Sequence, residues 1–320
     1  MSMTRRGMIL GGAALTAAPG LAVATTATQS IGGLAFGSVW RLVLPAGADA
    51  ERARRVVEAT VARVDAAMSP WRADSEVAQF NANGSTDWQP MSAETMSVAT
   101  EAHRVARLTS GSFDPTVGPL VARYGFGPIS GTPLGYRALE LDAGAVRKVA
   151  PGLTLDLCGI AKGHALDQAG ELLRENGFTN GVLELGGEVL TLGLHPSGRA
   201  WQVAIEQPGG LAMQRIVAPG ALALATSGHL PQGYAGPRAS VSHLIDPATA
   251  QPSVGALAAV SVLVATGCRA DALATALTVL GPDDGPALAQ RLGISALFLT
   301  KGGAGFDEIM TASFADHIIA

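Results

Sequence analysis

"GVLELGGEVLTLG", Gly181 to Gly193, decides how this chain is built. Two short apolar runs flank Gly186-Gly187, and a glycine pair in that position reads as a tight hairpin. Strands joined so closely are antiparallel, since a parallel pair needs a crossover of a dozen or more residues. Outward from it, Trp201 to Ile205, Ile216 to Val217 and Ala221 to Thr226 continue a strand-rich middle. "AAVSVLVA" (258–265) and "ISALFLT" (294–300) read as buried strands, and "GSVWRLVL" (37–44) as a first strand. Helices stand apart from these runs. Val57, Val61, Val64 and Met68 recur at helical spacing over Asp49 to Met68, Ser92 caps a second helix ending near Gly111, and a third covers Ala270 to Leu280 with another after it. This pattern indicates an α+β fold of mixed, mostly antiparallel sheets with packed helices, without βαβ alternation.

"LDLCGIAKGHALDQ", Leu155 to Gln168, is chemically denser. Leu153, Leu155 and Leu157 alternate with polar or small residues and read as the end of a strand. From Ile160, Ala161, Ala165, Ala169 and Leu172 recur at helical spacing, with Gly177 as the stop. Asp156, Gly159 and Lys162 therefore lie at or beside a helix N-terminus, where free N–H groups and the dipole favour an anion. The segment is no Walker loop, which needs four residues between its first glycine and the Gly-Lys pair, then Ser or Thr.

"CRADALATALTVLG" places Asp271 and Thr275 at i and i+4, so both oxygens share one helix face. A carboxylate and a hydroxyl so spaced suit a hard cation such as Mg²⁺. Alternatively, Asp271 is a first-turn acid serving its own helix dipole. "SHLIDPATAQP" (242–252) sets His243 and Asp246 beside a proline turn, either as a general base near neutral pH or as turn chemistry. "FDPTVGPLVARYGFG" (113–127) reads as an ordered loop wrapped around something. No zinc pattern joins the remaining histidines.

The 320 residues accommodate one large domain or two intimately packed ones, with 48% apolar residues and 15% charged, enough for a substantial core. A net charge of −4 without a basic cluster argues against nucleic acid. Residues 1–24 read as an address. Arg5-Arg6 precede the weakly apolar "GMILGGAALTAAPGLAVA", and Ala22-Val23-Ala24 provides a small-residue cleavage site. That indicates twin-arginine export to the periplasm, leaving residues 25–320 as the working domain with no membrane span; an N-terminal anchor is the alternative. Cys158 and Cys268 are either buried and inert or paired.

In this order, "MSPWRADSEVAQFN", "GSFDPTVGPLVARYGFGP", "LDLCGIAKGHALDQ", "GVLELGGEV", "ATSG", "SHLIDPATAQP" and "ADALATAL" resemble the ApbE family, the FAD:protein FMN transferases. The cysteine of the third motif resembles the NosX-like subgroup. The resemblance spans Phe36 to the C-terminus and implies an ApbE-like fold. It implies FAD contacts at Phe36, Trp71, Ser112, Phe113, Asp114, Asp156, Lys162 and Ile245. It places Mg²⁺ on Asp271, Thr275 and the carbonyl of Gly159, and makes His243 the base for the acceptor hydroxyl. The implied activity moves FMN from FAD to a Thr or Ser of a partner carrying a D-x-x-[ST]-x-A-T-like motif, releasing AMP. FAD hydrolysis to FMN and AMP, or flavin carriage without turnover, are the alternatives. Phe36 stands where the family commonly has methionine, Trp71 where it has tyrosine, and Ala250 where the turn after His243 usually has glycine.

Overall fold

The computed structural model describes residues 27–209, 212–229, 242–303 and 305–319; the twin-arginine segment lies outside them. An eight-stranded sheet organises the molecule, and each of its ladders is antiparallel. In chain order its strands are β1 (Thr28–Ala35) and β2 (Ser38–Pro45), then, after the short β3 (Gln89–Pro90), β4 (Leu139–Asp142) and β5 (Ala145–Lys148), the hairpin β6 (Gly181–Leu185) and β7 (Glu188–Leu192). The pair β8 (Val203–Glu206) and β9 (Met213–Val217) stands apart from the sheet, which resumes with β10 (Ala223–Gly228). The two-residue strands β11 (Ile245–Asp246) and β12 (Gln251–Pro252) precede β13 (Leu257–Val264), β14 (Ser295–Lys301) and β15 (Phe306–Thr311). Across the sheet the order is β1-β2-β6-β7-β10-β13-β14-β15. Gly186 and Gly187 both take positive φ, as the two-residue turn between β6 and β7 requires.

Both faces of the sheet are covered. Helices α1 (Ala50–Met68), α3 (Ala93–Leu108), α5 (Ala161–Glu175) and α6 (Gly267–Leu292) build the main core with one face, through Leu42, Leu183, Leu190, Val260 and Phe298. On the other face Val43, Val182, Leu263 and Leu297 pack with Trp201, Val203 and Ile205 of the β8 region and with Phe314. A strand buried on both sides gains nothing from polar alternation, which explains why β13 is apolar at every position but the buried Ser261.

Local sequence accounts for most boundaries. Asp49 and Ser92 cap α1 and α3, accepting from the amides of Arg52 and Thr95. Helix α6 carries a break at Gly281 (φ 83), just before Pro282, where two helical segments run together. Short helix α2 (Glu76–Ala82) follows α1, α4 (Gly118–Arg123) lies in the segment read above as a loop, and β1 precedes the strand read as first.

One expectation fails. Residues 153–157 form no strand and join no sheet. Their backbone is served instead by a side chain, since the Asn81 carboxamide receives the Leu155 N–H at 2.7 Å and donates to its carbonyl at 2.8 Å. The Asp156 amide donates to the Pro115 carbonyl at 2.6 Å. Leu153, Leu155 and Leu157 are fully buried. The alternation reported burial, and burial does not require a strand partner.

Candidate active site

Two glycines fix the geometry at the centre of the molecule. A Cβ on Gly163 would lie 2.1 Å from the Gly267 carbonyl oxygen, and one on Gly267 2.7 Å from that of Gly163. Helices α5 and α6 therefore cross backbone to backbone at their first turns, with no side chain between them. Each helix serves the other's unsatisfied amides. Asp167 of α5 accepts from the amides of Gly267 (2.6 Å) and Cys268 (2.9 Å), while Asp271 of α6 accepts from the Gly163 amide through Oδ2 (3.1 Å). Helix α5 has no side-chain cap of its own. Asp271 thus serves the neighbouring helix, rather than its own dipole as one sequence reading allowed.

The second Asp271 oxygen faces a cation. Lys162 Nζ lies 3.6 Å from Asp271 Oδ1 and 2.5 Å from Glu188 Oε1. Both carboxylates are sequestered, Glu188 2% exposed and Asp271 3%, whereas the Lys162 side chain keeps 28% of its surface open. Burial lowers the Lys162 pKa, but the two carboxylates outweigh it and leave the ammonium firmly charged. Burial pushes the Glu188 carboxyl up to about 7 against the pull of Lys162, with Asp271 adding like-charge repulsion. Glu188 Oε2 is buried and has no hydrogen-bond partner. The residue lies in a quoted motif but received no role from sequence reasoning. The signal was present: a carboxylate opens a strand whose residues are all buried.

Thr275 lies one turn along α6 from Asp271, and its Oγ1 is 3.3 Å from the Ser227 hydroxyl at the end of β10. A Cβ on Gly159 would be 3.6 Å from Thr275 Oγ1 and 3.1 Å from the Phe113 ring. Gly159, Phe113, Thr275 and Ser227 are therefore neighbours. On the other side, a Cβ on Gly186 would touch Lys162 Cδ at 3.3 Å and Ser38 Cβ at 3.8 Å. The β6–β7 turn thus seats the β1–β2 turn close to Lys162, and Phe36 at that turn holds a strained φ of 49.

The remaining candidates are placed differently. Asp156 is buried and accepts from the Cys158 amide at 2.9 Å; desolvation raises its pKa. Asp114 is committed to structure, with Oδ1 taking the Thr116 amide and hydroxyl and Oδ2 the Tyr136 amide. Ser112 is half-buried beside Phe113. Trp71 is 68% exposed on the turn between α1 and α2. Ile245 is buried in β11, and half-buried His243 meets the Phe126 ring edge-on at 6.3 Å between centroids. The Tyr124 hydroxyl reaches the Ala250 carbonyl (3.2 Å) and Gln251 Oε1 (2.8 Å), so the loop around α4 wraps the His243 turn. Ala250 sits at φ 56, the left-handed conformation for which glycine is suited. Both cysteines are free thiols, which closes the question of a disulfide in this structure.

The family model of the ApbE family matches residues 36–298. The chain belongs to the ApbE family. It is similar to the FAD:protein FMN transferase of Vibrio cholerae serotype O1, 34% identical over 286 residues covering 84% of this chain and 86% of that one. Against the FAD:protein FMN transferase of Escherichia coli K12 the identity is 30% over 312 residues, covering 90% and 88%. Among solved structures, the flavin transferase ApbE from Vibrio cholerae superposes with a TM-score of 0.81 at 32% identity, covering 91% of this chain and 99% of that one. The apo flavinyl transferase ApbE of Pseudomonas stutzeri gives 0.81 at 32%, covering 92% and 97%. The ApbE-like α+β fold expected from the sequence is the fold observed.

The donor set at the helix crossing fits a hard divalent cation. Asp271 has one oxygen turned away from the backbone, Thr275 adds a hydroxyl from the same helix, and Gly159 borders Thr275 with no side chain in the way. Among the described residues no group of three His, Cys, Asp or Glu side chains could hold a metal. A softer metal bound mainly by nitrogen or sulfur finds no such set there.

Proposed function

We propose that this protein transfers FMN from FAD to a threonine or serine hydroxyl of a partner protein, with release of AMP. The observation that carries the reading is the crossing of α5 and α6, which gathers Asp271, Thr275, Gly159 and Lys162 at one point. FAD brings a doubly negative diphosphate, and two helix N-termini meeting there bring positive dipole ends. Phe113 and the strained Phe36 turn offer apolar surface near Lys162 and Thr275, suited to the flavin. Asp156, Ile245, Ser112 and Trp71 complete the proposed contacts. Asp114 contributes by holding the 112–116 turn in shape.

Mg²⁺ held by Asp271, Thr275 and the Gly159 carbonyl would supply charge neutralisation on the diphosphate. His243 accepts the proton of the acceptor hydroxyl as its oxygen attacks the phosphorus of the FMN half. A new P–O bond forms to the acceptor, the P–O bond to the AMP half breaks, and AMP leaves with the electron pair. Lys162 and the positive ends of the two helices stabilise the charge that develops on the phosphate oxygens. The acceptor carries a D-x-x-[ST]-x-A-T-like sequence. The site of action is the periplasm, reached through the Arg5-Arg6 signal, with residues 25–320 as the mature domain.

The test is transfer of flavin fluorescence to a candidate acceptor in a denaturing gel, followed across a Mg²⁺ titration. Wild type labels the acceptor, whereas Asp271→Asn falls close to background at low Mg²⁺ and recovers partly at high Mg²⁺. His243→Ala binds FAD but transfers more slowly by a factor of about 10² or more. Superimposable Mg²⁺ curves for wild type and Asp271→Asn would remove the metal from this site. Release of FMN and AMP without labelling of any acceptor would make the protein a hydrolase.

A further inference from the structure

The three charged side chains at the helix crossing are unevenly arranged. Lys162 hydrogen-bonds to Glu188 Oε1 at 2.5 Å, yet stands 3.6 Å from Asp271 Oδ1, beyond hydrogen-bonding distance. Asp271 Oδ2 is occupied by the Gly163 amide, so Oδ1 is the oxygen available to a cation. An ammonium and a divalent cation compete for such an oxygen, since both are drawn by the same charge. Glu188 stands beside the lysine at the start of β7, and a Cβ on Gly186 of the preceding turn would meet Lys162 Cδ at 3.3 Å and Glu188 Oε2 at 3.5 Å. Its position draws the ammonium away from Asp271.

We propose that Glu188 is a positioning residue that holds the Lys162 ammonium off Asp271 and so keeps Asp271 Oδ1 open for the divalent cation. This rests on the cation reading of Asp271 given above. Without Glu188 the half-buried ammonium would retain one carboxylate partner, the buried Asp271, whose uncompensated charge draws the nearest cation. Lys162 would close on Asp271 and act as an internal competitor of the metal. Glu188 would then affect the metal without ever touching it.

The experiment reads Mn²⁺ binding to the full-length mature protein, without nucleotide, from the loss of the free-ion electron paramagnetic resonance signal, with Mg²⁺ as competitor. Circular dichroism and melting in the absence of metal check that each variant is folded. Glu188→Gln keeps the shape and removes the charge, and should raise the Mn²⁺ dissociation constant by about tenfold or more, the scale of one charge pair at a sequestered site. The double variant Glu188→Gln with Lys162→Met removes the competitor and should restore binding to within about threefold of wild type. Asp271→Asn should abolish it. Unchanged binding in Glu188→Gln, with binding lost in Asp271→Asn, overturns the role of Glu188 and leaves the metal site standing. A double variant as weak as Glu188→Gln also overturns it, since Glu188 would then act directly or through the fold. Wild-type binding in Asp271→Asn, or none in the wild type, overturns both readings.

Discussion

Asn81 does the work of a missing strand. Its carboxamide satisfies both backbone groups of Leu155 in a segment with no ladder partner, directly before Asp156 and Gly159. Asn81→Ala leaves a buried N–H and a buried C=O unpaired, which should cost about 2–4 kcal/mol. Urea unfolding followed by circular dichroism measures it, and an unshifted midpoint would mean that water replaces the side chain. Ala250 presents the opposite case. At φ 56 it occupies a conformation costing a non-glycine residue roughly 1–2 kcal/mol, partly offset because glycine has more freedom to lose on folding. Ala250→Gly should therefore stabilise the fold by about 0.5–1 kcal/mol. A lower melting temperature in that variant would show that the turn after His243 is not strained.

Among elements, the crossing of α5 and α6 matters most, because it aligns two N-termini and exchanges their caps. Gly163→Ala forces a methyl group against the Gly267 carbonyl, where backbone cannot yield cheaply. We expect a loss of about 3 kcal/mol in stability. Flavin transfer should fall at the same time, because parting the helices parts Lys162 from Asp271. Full transfer by a destabilised Gly163→Ala would mean that the crossing serves stability alone. The sheet enters the site through its turns: the β6–β7 turn delivers Glu188, and the end of β10 delivers Ser227 against Thr275.

For the whole molecule, helices fill one face of the sheet, while the β8–β9 pair and Phe314 close the other. No helix among the described residues is long and apolar enough to cross a membrane. The proposed export to the periplasm rests on Arg5 and Arg6. Changing both to lysine should leave the precursor in the cytoplasm, as fractionation and immunoblotting would record. A mature form starting near Thr25 in the periplasm of that variant would sink the export assignment.

The sequence by itself determined what depends on neighbours along the chain. The caps at Asp49 and Ser92, the Gly186-Gly187 hairpin, the apolar run of β13 and the shared face of Asp271 and Thr275 follow from spacings of a few residues. The order of its motifs carried the family. The tertiary structure alone decided what depends on residues far apart. Leu155 is served by Asn81, Gly163 by Asp271, and Lys162 by Glu188 on another element. Such partners leave no periodic trace in the sequence. A hydrogen bond or ion pair needs only that two groups meet, and the packing of helices on the sheet determines which groups meet.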